Sequence, residues 1–290
     1  MTTAESDRRS ILAAGAALSL AAVLPGDASA QSSARGSAMR ILVVNANTSA
    51  IVTEKLVAEA LAAASPGTQI TSATGTFGGR VIGSRAEHAI AEHSTIALVS
   101  EHAADCDAVV IGVSYDTGLR GARELLPIPV VGMTEAGLLT ACMLGGRIGM
   151  ITFGRRSLPL YQELVNAYGL GTRIAGWRVL ESAAAFQRGT NDALDRELVA
   201  AANALVNEDM AETVLLIGAV MAGVPRRLQP RVPVPLVDCL ACGVKQAELL
   251  VRLGIPKPRT GSYASPADRE LVEVSPAIAR AFAAASKMPR

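Results

Sequence analysis

Aromatic side chains are scarce in this sequence, at 3% of 290 residues against 50% hydrophobic residues overall. A core must therefore be assembled from Ala, Val, Leu and Ile, and a chain of this length buries such a core without metal or disulfide staples. A charge imbalance is lacking too. The 27 basic residues oppose 26 acidic ones for a formal charge of +1, which supplies no long-range field for nucleic acid or anionic lipid. No basic stretch is interleaved with aromatics, so nucleic acid is not an expected partner. Metal-ligand patterns are equally thin. His88 and His93 are five residues apart and diverge on a helix. The Cys239-x-x-Cys242 motif has no second such pair and no histidine pair to complete a zinc site, so no metal is expected. The four cysteines, Cys106, Cys142, Cys239 and Cys242, could pair in an oxidising compartment or serve as small buried side chains.

What the first thirty residues contain is an address. Arg8-Arg9 precede an apolar run from Ile11 to Leu24, and Ala28-Ser29-Ala30 follows. The run is too short to span a bilayer of about 30 Å comfortably and reads as a signal peptide, the arginine pair pointing to twin-arginine export. Residues 1–30 are thus expected to be removed, residues 31–38 to form a Ser/Gly-rich linker, and the remainder to be periplasmic or otherwise exported, without stable membrane association.

From residue 39 onward, apolar β-branched runs alternate with Ala/Leu-rich helical stretches. Strands are expected at residues 40–45 (RILVVN), 68–73, 107–113 (DAVVIGV) and 128–132. Helices are expected at 51–64, 85–104, 119–126 and 135–144. The pattern then restarts. Strands are expected at 147–153 (RIGMITF), 172–180, 213–219 (TVLLIGA) and 234–237, with helices at 157–168, 192–210 and 239–253. An Ala-rich helix at 275–287 closes the chain. Strands apolar on both faces, separated by helices, argue for parallel sheets covered on both sides. The fold class is therefore α/β, and the two rounds of the pattern suggest two similar lobes, each a parallel sheet covered by helices. Ligands in such sheets sit beyond the carboxyl ends of the strands.

Three strand-to-helix loops hold the polar residues this placement favours. Asn45-Ala46-Asn47-Thr48-Ser49 offers amides, hydroxyls and a helix N-terminus suited to an anion. Helix capping alone explains that composition equally well. Ser114-Tyr115-Asp116-Thr117-Gly118 has residue types able to transfer a proton, and a capped turn is again the alternative. Thr152-Phe153-Gly154-Arg155-Arg156-Ser157 carries two arginines that could grip a carboxylate or remain solvated.

The order of these motifs resembles the aspartate/glutamate/hydantoin racemase family, in particular its hydantoin racemase branch. N-x-N-T-S follows the first strand, and D-A-V-V-I-x-x-x-x-D-x-G-L spans Asp107 to Leu119. P-V-V-G-x-x-E-A (from Pro129), L-G-G-R (from Leu144), V-P-L-V-D, V-K-Q-A-E and G-x-Y-A-x-P (from Gly261) follow in sequence. The resemblance covers residues 39–268. The remaining residues, 269–290, are expected to form a helix packing on that domain. The resemblance implies two pseudo-symmetric lobes with an interlobe cleft that holds a small-molecule acid or cyclic amide, and cofactor-independent proton transfer by a facing pair of cysteines. It also allows a homo-oligomer.

In this chain the two family cysteine positions fall on Val113 and Ala219, and neither side chain can carry a proton. The resemblance thus implies chemistry by other groups, with Tyr115, Asp116 and Ser114 as candidates beside the first lost thiol. Asn45, Asn47, Thr48, Ser49, Thr117, Thr152 and Arg156 are the candidate substrate contacts. Cys239, just after Asp238, is a possible substitute acid or base. A tyrosine base would need a positive neighbour, which Arg155 or Arg156 could supply. Export and a two-lobed cleft also suit a non-catalytic binding protein for small acids.

Overall fold

The computed structural model describes residues 38–181 and 192–288. The expected signal peptide, and the linker apart from Ala38, lie outside the described residues. The first lobe contains β1 (Met39–Asn45), α1 (Ala50–Ala63), β2 (Thr68–Thr74), α2 (Arg85–His102), β3 (Ala108–Ile111), α3 (Leu119–Leu125) and β4 (Val130–Gly132). After α4 (Met133–Leu144), the second lobe holds β5 (Ile148–Phe153), α5 (Leu158–Ala167), β6 (Ile174–Leu180), α6 (Asp192–Asp209), β7 (Thr213–Leu216), α7 (Val224–Leu228) and β8 (Leu236–Asp238). The helices α8 (Cys239–Leu253) and α9 (Pro276–Ser286) complete the described chain.

The two sheets repeat one topology. Their strand orders are β2-β1-β3-β4 and β6-β5-β7-β8, and every pairing is parallel. The runs that carry no polar face are the central strands: Ile41 to Val44, Ala108 to Ile111 and Ile148 to Ile151 are buried throughout. Parallel sheets need this, because crossover helices cover both faces.

The helices that join the lobes are exchanged. α4 follows β4 of the first sheet but packs against β7 and β8 of the second. α8 follows β8 of the second sheet but packs against β1, β3 and β4 of the first, and α4 and α8 lie against each other. Close approach at this crossing requires glycine. A Cβ at Gly137 would sit 2.8 Å from Cys239 Sγ, and one at Gly243 would sit 3.0 Å from Val110 Cγ1.

Side-chain ties reinforce the junction. Glu248 of α8 is buried and accepts hydrogen bonds from Ser65 N (2.7 Å), Ser65 Oγ (2.6 Å) and Thr68 Oγ1 (2.7 Å) in the first lobe. With Lys245 beside it, its carboxyl is held down to about 2, these hydrogen bonds outweighing the opposing effect of burial. Glu59 of α1 pairs with Arg226 of α7. The C-terminal helix α9 packs on α2 and α3.

Several elements depart from the sequence expectation: β3 and β7 end at Ile111 and Leu216 instead of continuing to 113 and 219, and β4 and β6 begin at Val130 and Ile174 instead of at 128 and 172. α4 begins at Met133, two residues earlier than expected, because a carboxylate from another loop caps it. The short α7, with Pro225 in its first turn, is too brief to show a helical period in sequence. Among the described residues, no helix is long and apolar enough to cross a membrane.

Candidate active site between the lobes

All eight strands run parallel within their sheets, so each lobe presents its strand ends and following loops on one side. Loops from both lobes enclose a cavity of about 110 Å³. The first lobe contributes Asn47, Arg80, Val113, Ser114 and Tyr115. The second contributes Thr152, Phe153, Ser157, Tyr161, Ala219 and Val220. Val113 and Ala219, the positions that the sequence resemblance assigns to the family's two cysteines, line the same cavity.

Two buried aspartates hold the loops that carry these positions, one in each lobe. Asp116 lies in the loop after β3 and accepts from Thr134 N (3.0 Å) and Glu135 N (2.8 Å), capping α4. Tyr168 donates to it at 2.6 Å. Burial pushes the Asp116 carboxyl up to about 7, against the pull of these three donors. Its φ of +48° is tolerated by aspartate better than by most side chains. Asp238 is the counterpart. It caps α8 through Leu240 N (2.9 Å) and Ala241 N (3.0 Å), and accepts from Gly223 N (2.7 Å) in the loop after β7. Burial raises its pKa as well. Each aspartate thus fixes a site loop to the start of an exchanged helix. Asp116 faces a neighbouring cavity of about 370 Å³ between α2, α3 and α5 and is not among the residues lining the interlobe cavity.

The hydroxyl groups beside Val113 form a cluster across the lobes. Ser114 Oγ and Tyr161 OH are 2.7 Å apart, and the Tyr115 and Tyr161 rings stack at 4.3 Å between centroids. Burial raises the pKa of both tyrosines, that of Tyr161 well above its ordinary value, so both are neutral phenols. Hydrogen bonds from Ser157 and Tyr161 pull Tyr115 the other way. The positive neighbour expected to make Tyr115 a base is not supplied by the two arginines. Arg155 is exposed and pairs with Glu181, and Arg156 is also exposed.

The remaining candidates divide. Asn47 and Thr152 line the cavity. Asn45 is fully buried and spends its amide on Asn47 Oδ1 (3.0 Å), Ser49 O (3.2 Å) and Thr53 Oγ1 (3.0 Å), shaping the loop. Asn47 Oδ1 in turn accepts from Ser49 N at 2.9 Å. Thr48 is tied to the loop after β2 through its N–H to Gly79 O (3.1 Å). Thr117 pairs with His88 Nδ1 at 3.1 Å. Neither Thr48, Ser49, Thr117 nor Arg156 lines the cavity. The four cysteines are free and none lines it either. Cys239 is buried against Leu216 O, and burial lifts its thiol pKa well above the ordinary value.

Two polar lining residues, Arg80 and Tyr161, escaped the sequence reading. Arg80, an exposed residue of the loop after β2, is the cationic residue among those lining the cavity. The glycines at 75, 78, 79 and 83 marked that loop. Tyr161, on α5, has the spacing of a core residue, and no sequence signal separates it from one.

A two-lobed α/β fold with exchanged helices and a small cavity between its strand ends defines the class. The chain belongs to the Asp/Glu/Hydantoin racemase family, whose model matches residues 41–247. A hydantoin racemase of Paenarthrobacter aurescens is 32% identical over 235 residues, which are 80% of this chain and 99% of the relative. The crystal structure of allantoin racemase from Pseudomonas fluorescens superposes with a TM-score of 0.77 at 35% identity, covering 81% of this chain and 100% of that one. Allantoin racemase from Klebsiella pneumoniae gives 0.79 at 29% identity, covering 83% and 98%.

Proposed function

We propose that this chain is an exported racemase-family enzyme that binds a small carboxylate or hydantoin-like cyclic amide between its lobes. It acts by cofactor-independent chemistry that does not use two facing thiols. The observation that carries this reading is the convergence of Val113 and Ala219 on one cavity that also holds Asn47, Arg80, Ser114, Tyr115 and Thr152. The family and the names of its relatives support a cyclic ureide or amino acid as the ligand class. Arg80 and the Asn47 loop suit a carbonyl or carboxylate oxygen. The wall formed by Val113, Phe153, Ala219 and Val220 suits a flat ring or an alkyl substituent. The arginine pair and small-residue stretch at Ala28-Ser29-Ala30 support export to the periplasm.

A second reading is a periplasmic binding protein descended from the racemase fold. One observation favours it: among the described lining residues there is no carboxylate, imidazole or thiol, so no side chain there is basic near neutral pH. One experiment separates the two. The purified protein is incubated in deuterated water with hydantoin, 5-methylhydantoin, allantoin, aspartate, glutamate and phenylmalonate. The enzyme reading expects Cα deuteration or release of carbon dioxide from at least one compound. Binding by calorimetry without either reaction would leave the second reading standing.

A further inference from the structure

We propose that the cavity between α2, α3 and α5 is a second binding site, separate from the interlobe cavity, for a small organic acid with an apolar or aromatic body. This site goes beyond the reading above and does not depend on it.

The cavity has the room and the walls for such a ligand. Its volume of about 370 Å³ falls within the range of small-molecule sites, roughly 300–1,000 Å³, and exceeds the interlobe cavity's volume of about 110 Å³. Among the described lining residues only Tyr115 belongs to both, so that residue is the partition between them. One wall is apolar. On α5, Tyr161 and Val165 are buried in the core. Leu160, Leu164 and Ala167 form a second stripe at helical spacing, which is half-buried and lines the cavity. Facing it across the cavity are α2 and the start of α3. Two ties join these walls: Arg85 of α2 pairs with Glu163 of α5, and Tyr168 at the end of α5 donates to Asp116 at 2.6 Å. All four of those residues line the cavity.

The polar wall leaves one charge over. Arg120, in the first turn of α3, lines the cavity, is exposed and has no ion pair among the described residues. Arg85 is taken by Glu163. The lining carboxylates are mostly committed: Glu163 to Arg85, and Asp116 to Thr134 N, Glu135 N and Tyr168. Glu92 stands 3.6 Å from His88 Nε2. Ser262 and Tyr263, from the late G-x-Y-A-x-P motif that the interlobe cavity leaves unused, line the adjoining groove together with Arg120 and bring hydroxyl groups to this end. A carboxylate beside Arg120 gains charge-assisted hydrogen bonds. Its body then covers the apolar stripe of α5, removing that area from water.

The test titrates benzoate, phenylacetate, benzylamine and benzyl alcohol into the purified full chain by calorimetry. The expected result is saturable binding of at least one of the two acids, with the amine and the alcohol about tenfold weaker or worse. Arg120→Ala should weaken the acid about tenfold, and Arg120→Lys should weaken it less. Leu164→Trp, which fills the apolar end, should abolish binding. Ala219→Leu, which fills the interlobe cavity instead, should leave the Kd within about twofold. If Leu164→Trp is destabilised in a thermal scan, the exposed Arg120→Ala decides, weaker binding supporting the site and unchanged binding overturning it. Tighter binding of benzylamine than of either acid overturns the ligand class. Loss of acid binding in Ala219→Leu with Leu164→Trp unaffected puts the probe in the interlobe cavity and overturns the second site. Binding of neither acid also overturns it, and leaves the reading of the interlobe cavity standing.

Discussion

Asp116→Asn separates the work of a helix cap from the work of a titrating acid. In the folded protein the carboxyl is raised from 3.8 to about 7. A shift of about three units is worth on the order of 4 kcal/mol between its two protonation states. The sign follows from linkage: the folded state holds this proton more tightly than the unfolded chain does. The stabilisation is complete below about pH 3.8 and is lost as pH rises through about 7. The groups facing the carboxyl are Tyr168, the N–H groups of Thr134 and Glu135, the Glu135 side chain, and Arg123, which pairs with Glu135. Asparagine keeps the shape, tolerates the φ of +48°, and cannot ionise. It also loses one acceptor, which should cost about 1–3 kcal/mol. Urea unfolding at pH 4, 5, 6, 7 and 8 should therefore show the variant less stable at pH 4, with the two proteins converging or crossing by pH 8. Asp238, whose pKa is also raised by burial, is present in both proteins and drops out of the difference. Parallel stability curves across the whole window would refute the assignment of a shared, buried proton to Asp116.

Other expectations follow from the lobe junction. Glu248→Gln should remove a carboxylate held down to about 2. Its contribution is fully present above about pH 4.5 and lost as pH falls through 2, so at pH 7 the variant should lose about 2–3 kcal/mol and melt roughly 5–10 °C lower. The same substitution made little difference below pH 2 would agree with that sign. Gly137→Ala should drive a methyl against Cys239 Sγ and cost about 1–3 kcal/mol by overpacking, measurable by thermal scanning.

Local pattern made the strands and long helices legible. Runs such as residues 41–44 and 108–111 are apolar in sequence because both faces of their sheets are covered. α8 runs over residues 239–253 in both sequence and structure, since Asp238 caps its start and Gly254 in left-handed conformation ends it. Other features depended on distant partners. α4 starts early because Asp116, 18 residues before Thr134, supplies the cap that Gly132 lacks. Asn45 and Thr117 read as ligand contacts because they are polar residues at strand ends; in the fold Asn45 hydrogen-bonds to its own loop and to Thr53 of α1, and Thr117 to His88 of α2. Tyr161 became visible only when α5 was laid against Ser114 and Tyr115 of the other lobe. The exchange of α4 and α8 between lobes has no local signature beyond the glycines that permit it.

The proposed function requires the cavity lined by Val113 and Ala219 to be the racemase site with its proton-transfer groups replaced. The direct measurement is hydrogen–deuterium exchange and loss of optical activity of an enantiopure 5-substituted hydantoin, comparing the unaltered protein with Val113→Cys/Ala219→Cys. The double variant should exchange the Cα proton and racemise the hydantoin well above the rate of the unaltered protein, which has no facing thiols to do so. A double variant that melts like the parent and still leaves the hydantoin untouched would contradict the account, as would racemisation by the unaltered protein at the variant's rate.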